Sequence, residues 1–139
     1  VFRITRISKE RVEVVGIMVD MKSLIKALVQ VESGGNSSAI GDNGDAYGIL
    51  QIHQGVVADV NRTCKTNFTH EDAFDGNMAR DICSRYLAYW GRVYQKTTQK
   101  EPSEEVLARI WNGGPKGYEK QATMKYWSKV KEALEEIAV

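Results

Sequence analysis

The sequence predicts a mainly α fold with at most a small β element and an N-terminal β arm. From residue 21 onward, apolar residues recur three and four apart in separate stretches, the spacing of one helix face. Strand-like alternation is confined to residues 1–20, where Phe2, Ile4 and Ile7, then Val12 and Val14, stand out. Glycine-rich breaks at 34–46 and 111–115 separate the helical stretches. The length of 139 residues suits one core, and 42% hydrophobic with 27% charged residues is the balance of an ordinary globular chain.

The β-branched segment at the start is set apart by Gly16 and Asp20. This divides the chain into an extended arm or hairpin, 1–20, and a helical domain, 21–139. Asp20 is a good N-cap for a helix over residues 21–33, in which Leu24, Leu28 and Val31, with Ile25 and Val29, share a face. Gly34 and Gly35 stop it, so Glu32 falls in its last turn. Residues 34–46 are rich in Gly, Asn, Ser and Asp and form a loop. Residues 47–52 are apolar with one polar interruption, a short strand or a buried turn. Helices follow over about 54–61 and 75–94, the second with Met78, Ile82, Tyr86, Trp90 and Val93 three or four apart. Pro102 and the N-cap Ser103 start another, through Ile110, which Trp111-Asn112-Gly113-Gly114-Pro115 breaks. A last helix, about 123–137, presents Tyr126, Val130 and Leu134.

Charge excludes some functions. Lys plus Arg is 19 and Asp plus Glu 18, a net charge of +1, too balanced for a nucleic-acid binder. The longest apolar stretch, 14–19, is far short of a bilayer span, and no charged start followed by an apolar run marks a secretion signal. Cys64 and Cys83 leave two readings. A disulfide would close a loop of about 20 residues and stabilise by roughly 3 kcal/mol; the other reading is two free thiols, with Cys83 packed on its helix. With His53 and His70 they match no closed zinc spacing, and no metal or other cofactor is expected. A monomer is expected.

Chemistry enters with a set of motifs. Glu32-Ser33-Gly34-Gly35-Asn36, then Gly44-Asp45-Ala46-Tyr47-Gly48-Ile49-Leu50-Gln51-Ile52, resembles the first two motifs of the soluble lytic transglycosylase and goose-type lysozyme group of the lysozyme-like superfamily. Asn112-Gly113-Gly114 after an apolar helix resembles the group's third motif, aromatic-Asn-X-Gly, with Trp111 where Tyr is more usual. Thr123-Met124-Lys125-Tyr126-Trp127-Ser128-Lys129-Val130 resembles its closing Thr-X-X-Tyr-Val-X-Lys-Val helix, with Trp127 replacing Val. Order and separations agree from Leu24 to Leu134; residues 1–20 lie outside the resemblance.

The resemblance implies a lysozyme-like catalytic domain with a substrate groove. Its enzymes cut the β-1,4 bond between N-acetylmuramic acid and N-acetylglucosamine in peptidoglycan. Glu32 would protonate the departing oxygen and later act as base. A carboxyl at an apolar helix end suits that task, because burial and the helix's negative end both favour its protonated form. Ser33, Tyr47, Gln51, His53, Asn112, Gly113, Tyr118 and Tyr126 would bind the sugar.

The outcome after bond cleavage stays open at this level. In a transglycosylase one Glu suffices, and the sugar's own hydroxyl closes an anhydro ring. In a goose-type hydrolase, aspartates position water. Asp42 and Asp45 lie in the loop after Glu32, but His53 stands where the second aspartate would follow Gln51-Ile52. Both aspartates also suit a turn. Chitooligosaccharides share the N-acetyl groups and are alternative substrates. A non-catalytic glycan-binding module is the reading from another class. Peptidoglycan as substrate implies a secreted, periplasmic, cell-wall-associated or phage-delivered protein. Tyr86, Tyr89 and Trp90 read as packing, and Trp111 and Trp127 as core or groove wall.

Overall fold

A computed structural model of the chain describes residues 4–6, 11–14 and 17–138, and of 4–6, 11–14 and 17–18 the backbone alone. The parts of the expected arm at 1–3, 7–10 and 15–16 lie outside the described residues. Where the sequence predicts an extended arm or hairpin, the described residues form three strands: β1 (Ile4–Arg6), β2 (Arg11–Val14) and β3 (Ile17–Asp20). They form an antiparallel sheet in the order β1-β2-β3, with Ile4 opposite Val14 and Val12 opposite Val19.

Helix α1 (Met21–Glu32) follows β3 directly. Asp20 caps it: its carboxylate accepts from the Ser23 N–H at 3.2 Å and the Ser23 hydroxyl at 3.0 Å. Leu24, Ile25, Ala27 and Leu28 are buried. The helix ends where Gly34 takes φ 66, and the Gly34 N–H reaches back to the carbonyls of Val29 and Gln30.

The chain divides into two compact units, Leu28–Tyr86 and the rest (Val1–Ala27 with Leu87–Val139). In Leu28–Tyr86, the loop after α1 forms a two-stranded hairpin, β4 (Ile40–Gly41) and β5 (Ala46–Tyr47), where the sequence predicts a loop over 34–46 followed by a short strand or buried turn. A turn of four residues then brings Ile52 back to bridge Tyr47. Gly48 sits at φ 77 in that turn, where an added Cβ would overlap the Ala73 carbonyl. Helix α2 (Gln54–Cys64) runs three residues past the expected end. Beyond it Asn61 orders the connection: its amide donates to the Phe68 carbonyl at 2.9 Å and accepts from the Phe68 N–H at 2.9 Å. A 3-10 turn, His70–Phe74, then leads into α3 (Gly76–Thr98), with Thr69 and Asp72 forming a reciprocal capping box. Ala46, Ile49, Leu50, Ile52, Val57, Val60, Ile82 and Cys83 are buried here. Met78, which periodicity placed on the apolar face of α3, is 42% exposed. It lies in the first turn of the helix, before that face is covered.

In the other unit, α4 (Glu104–Gly113) packs on α5 (Met124–Ala138). Ser103 caps α4, its hydroxyl accepting from the Val106 N–H at 3.2 Å. Trp111, Asn112 and Gly113 were expected outside the helix but form its last turn, and the chain leaves it at Gly114, φ 91. Helical bonding persists through Gly113 because Trp111 is buried with Leu107, Ala108 and Ile110 and holds that turn in place. Two 3-10 turns, Gly117–Glu119 and Gln121–Thr123, connect α4 to α5. Among the described residues no helix is long and apolar enough to cross a membrane.

Candidate active site

The residues singled out from the sequence fall into both units. Glu32, Ser33, Asp42, Asp45, Tyr47, Gln51 and His53 belong to Leu28–Tyr86, and Asn112, Gly113, Tyr118 and Tyr126 to the other. Each set has its own supports.

Glu32 is the last residue of α1 and is half-buried. The chain turns immediately after it, and Ser33 locks the turn. Its hydroxyl donates to the Ile49 carbonyl at 2.8 Å and accepts from the Gly35 N–H at 3.1 Å. Ser33 therefore ties the carboxyl-bearing helix end to the chain following the hairpin. The fully buried Cys83 thiol lies close enough to feel the Glu32 charge; burial first, and Glu32 second, push the thiol well above its usual range. It stays a neutral, inert thiol. Cys64 and Cys83 are both free, so of the two readings of the cysteines the structure has the thiols.

Deeper in the same unit, the Tyr86 phenol is pushed up to about 12, by burial and then by Asp59 and Cys83. A phenol that holds its proton more tightly when folded favours the folded state below its ordinary pKa. It loses that advantage as pH rises, since the unfolded chain ionises first. Denaturant midpoints should therefore fall between pH 10.0 and about 12, and Tyr86→Phe should flatten that fall. An unchanged slope in the variant would assign the alkaline loss to other groups.

The hairpin carries the remaining residues of this set. Asp42 (φ 47) and Asn43 (φ 57) both adopt left-handed backbone. The Asp42 carboxylate is 2.8 Å from His53 Nε2, with both side chains largely exposed, 69% and 48%. Two residues proposed for separate roles are thus partners. Asp45 is exposed, and its N–H closes the turn onto the carbonyls of Gly41 and Asp42. Gln51, itself at φ 51, directs its amide N–H groups at the carbonyls of Gly48 (3.0 Å) and Ala39 (3.3 Å), bracing the hairpin from within. Tyr47 is half-buried and stacks on His70 (3.6 Å, 7°) and Phe74 (4.5 Å, 20°). His70 is oriented by donating from Nε2 to the Ile52 carbonyl at 2.7 Å. The sequence reading missed this aromatic stack; a Tyr, a His and a Phe spread over nearly thirty residues (47, 70, 74) leave no periodic signal.

In the other unit, Asn112 is exposed and Gly113 half-buried at the end of α4. The Gly113 carbonyl accepts from Lys120 Nζ at 2.7 Å. Tyr118 meets Tyr94 edge-on (4.7 Å, 88°), and its phenol is raised by burial, then by Glu119 and Tyr94. Tyr126 is half-buried in the first turn of α5. Arg109, passed over in the sequence, links several of these segments. Its only advance signal was the four-residue spacing from Glu105, which suits an ion pair on a helix. Among the described residues no cluster of His, Cys, Asp or Glu could hold a metal ion.

A family model, the transglycosylase SLT domain, matches residues 13–133. The match covers every motif quoted above and reaches back into β2. A search of curated proteins finds no match. Among solved structures, the chain is similar to a chain in the crystal structure of Aeromonas hydrophila PliI in complex with Meretrix lusoria lysozyme. Identity is 23%, the TM-score is 0.66, and the alignment covers 80% of this chain and 88% of that one. At that identity the likeness speaks for the fold alone, which is lysozyme-like and mainly α.

Proposed function

The chain belongs to the transglycosylase SLT domain family, a family that acts on peptidoglycan, and from that premise we propose that it is a lytic transglycosylase with Glu32 as its acid and base. The carrying observation is the setting of Glu32: a half-buried carboxyl in the last residue of α1, on a turn that Ser33 pins to the Ile49 carbonyl. A carboxyl at this turn is a group that can give a proton to a departing oxygen and take one back.

In the proposed reaction the Glu32 proton passes to the glycosidic oxygen as the bond from that oxygen to the anomeric carbon breaks. The carbonyl oxygen of the substrate's own N-acetyl group steadies the positive charge that develops. The 6-hydroxyl oxygen of the same sugar then bonds to the anomeric carbon, and its proton returns to the Glu32 carboxylate. No water is consumed, and an anhydro ring is the product. Asn112, Gly113, Tyr118 and Tyr126 hold the glycan in this reading, and Ser33, Tyr47 and Gln51 shape the wall beside Glu32.

The Asp42–His53 pair favours this chemistry over hydrolysis. The contact engages Asp42 in holding the loop ahead of α2 rather than leaving it to orient a water. Asp42 and His53 are then loop-holding residues, and Asp45 belongs to the turn. Because the substrate lies outside the cytoplasmic membrane, the enzyme acts there, at the cell wall.

Mass spectrometry of glycan strands after digestion tests the assignment. Anhydro ends are the expected product. Reducing ends would instead make it a muramidase, and binding without any cleavage over long incubation would make it a glycan-holding module. Parallel digestion of chitooligosaccharides separates the two substrate classes.

A further inference from the structure

The Arg109 side chain is 12% exposed. Its guanidinium meets a different segment of the chain with each nitrogen. Nε donates to Thr123 Oγ1 at 2.8 Å, Nη1 to Glu105 Oε2 at 2.8 Å, and Nη2 to the Lys120 carbonyl at 3.1 Å. Thr123 is 2% exposed. Its hydroxyl lies 2.8 Å from the Gly117 carbonyl and 2.9 Å from the Lys120 carbonyl, and with one proton it donates to one of them at a time. Lys120 closes the ring of contacts, donating from Nζ to the Gly113 carbonyl at 2.7 Å.

This arrangement joins the end of α4, both 3-10 turns and the start of α5 in one hydrogen-bonded node. Asn112 precedes the Gly113 carbonyl that Lys120 holds, and Tyr126 follows Thr123 by a single helical turn. Lys120 is the informative member. An exposed lysine ordinarily stays solvated, and ordering its long side chain costs rotamer entropy. Here the ammonium is directed at a backbone carbonyl beside an exposed Asn.

We propose that Arg109, Thr123 and Lys120 are positioning residues that set the Asn112 amide and the Tyr126 hydroxyl in one fixed geometry for an N-acetylated sugar. This rests on the reading that Asn112 and Tyr126 hold glycan. Arg109 suits the task because its planar fork presents donors in three fixed directions, which a lysine ammonium on a flexible stem does not reproduce. None of the three needs to touch the sugar.

The test compares the intact protein with Lys120→Met, Thr123→Val and Thr123→Ser. The readouts are steady-state kinetics on solubilised glycan strands, titration with N-acetylated chitotriose, and thermal unfolding. Lys120→Met is expected to raise KM and the chitotriose Kd about fivefold, with kcat within about twofold, because weakened ground-state grip leaves the chemical step alone. Its Tm should stay within about 3 °C of the wild type, as for a change at an exposed side chain. Thr123→Val should raise Kd further and also lower Tm, and Thr123→Ser, which keeps the hydroxyl, should restore Kd. Unchanged KM and Kd in Lys120→Met, with the wild type active, would overturn the positioning role alone. A Thr123→Val protein that loses Tm but keeps the wild-type Kd would reduce the node to a structural brace. A wild type that neither binds chitotriose nor cleaves strands would sink the transglycosylase reading, and this proposal with it.

Discussion

Glu32→Gln is expected to lower the turnover of cell-wall glycan by about 10²–10⁴-fold, the range for loss of a positioned acid or base. The substitution is nearly isosteric, and the position is half-buried in the last residue of α1. Chain packing should therefore survive, and the melting temperature should move by no more than a few degrees. The amide has no proton acidic enough to hand to a departing sugar oxygen, and no carboxylate to take one back. Glu32→Asp is an instructive companion: the chemistry remains, but the group is withdrawn by one methylene, and misplacement of about 1 Å can itself cost about 10²-fold. Clearing of cell-wall suspensions, checked by product mass spectrometry, measures both. A Gln variant with undiminished clearing would remove Glu32 from the reaction.

The largest effect on stability is expected from Gly48→Ala. The residue sits at φ 77, where a side chain costs roughly 1–3 kcal/mol. The added methyl would also run into the Ala73 carbonyl, a backbone atom that cannot swing aside, which adds about 1–3 kcal/mol of overpacking. Together they amount to about 2–6 kcal/mol, a large share of the roughly 5–15 kcal/mol that holds a typical domain folded. Thermal unfolding should shift downward by about 10 °C or more. Gly55→Ala is the matched control. It lies in α2, its backbone carries no left-handed φ, and a Cβ there meets nothing within 4 Å. That change should leave stability equal or slightly higher. Equal melting temperatures for the two variants would mean that Gly48 does not press on the Ala73 carbonyl.

The helices were legible because their signals are local. Asp20 ahead of α1, Ser103 ahead of α4 and glycine behind α1 are each read from neighbouring residues, and each does the expected work in the structure. The β4–β5 hairpin was not legible. Its strands are two residues long, and its register depends on Gln51 reaching back to the Ala39 carbonyl. The end of α4 was misplaced for a related reason. The run from Trp111 to Pro115 reads as a break after Ile110, but burial of Trp111 carries the helix on through Gly113.

The candidate site shows the same division. Glu32 stood out by an incongruity, a carboxylate on a greasy helix end, and the motif that follows it supplied a role. Asp42 and His53 were each visible alone, but their pairing spans a strand and a turn, and nothing in the spacing announces it. The Arg109 node is harder still. Arg109, Lys120 and Thr123 are common residue types, and only the folded connection between α4 and α5 makes them one group.

The uncoupled cysteines have a consequence for the conditions under which the domain folds. With no covalent cross-link to form or to lose, the domain needs neither an oxidising folding environment nor an oxidoreductase to mature. Reductants in its surroundings find nothing to break. Its integrity is left to packing and polar contacts, so its melting temperature should be the same with and without a thiol reductant.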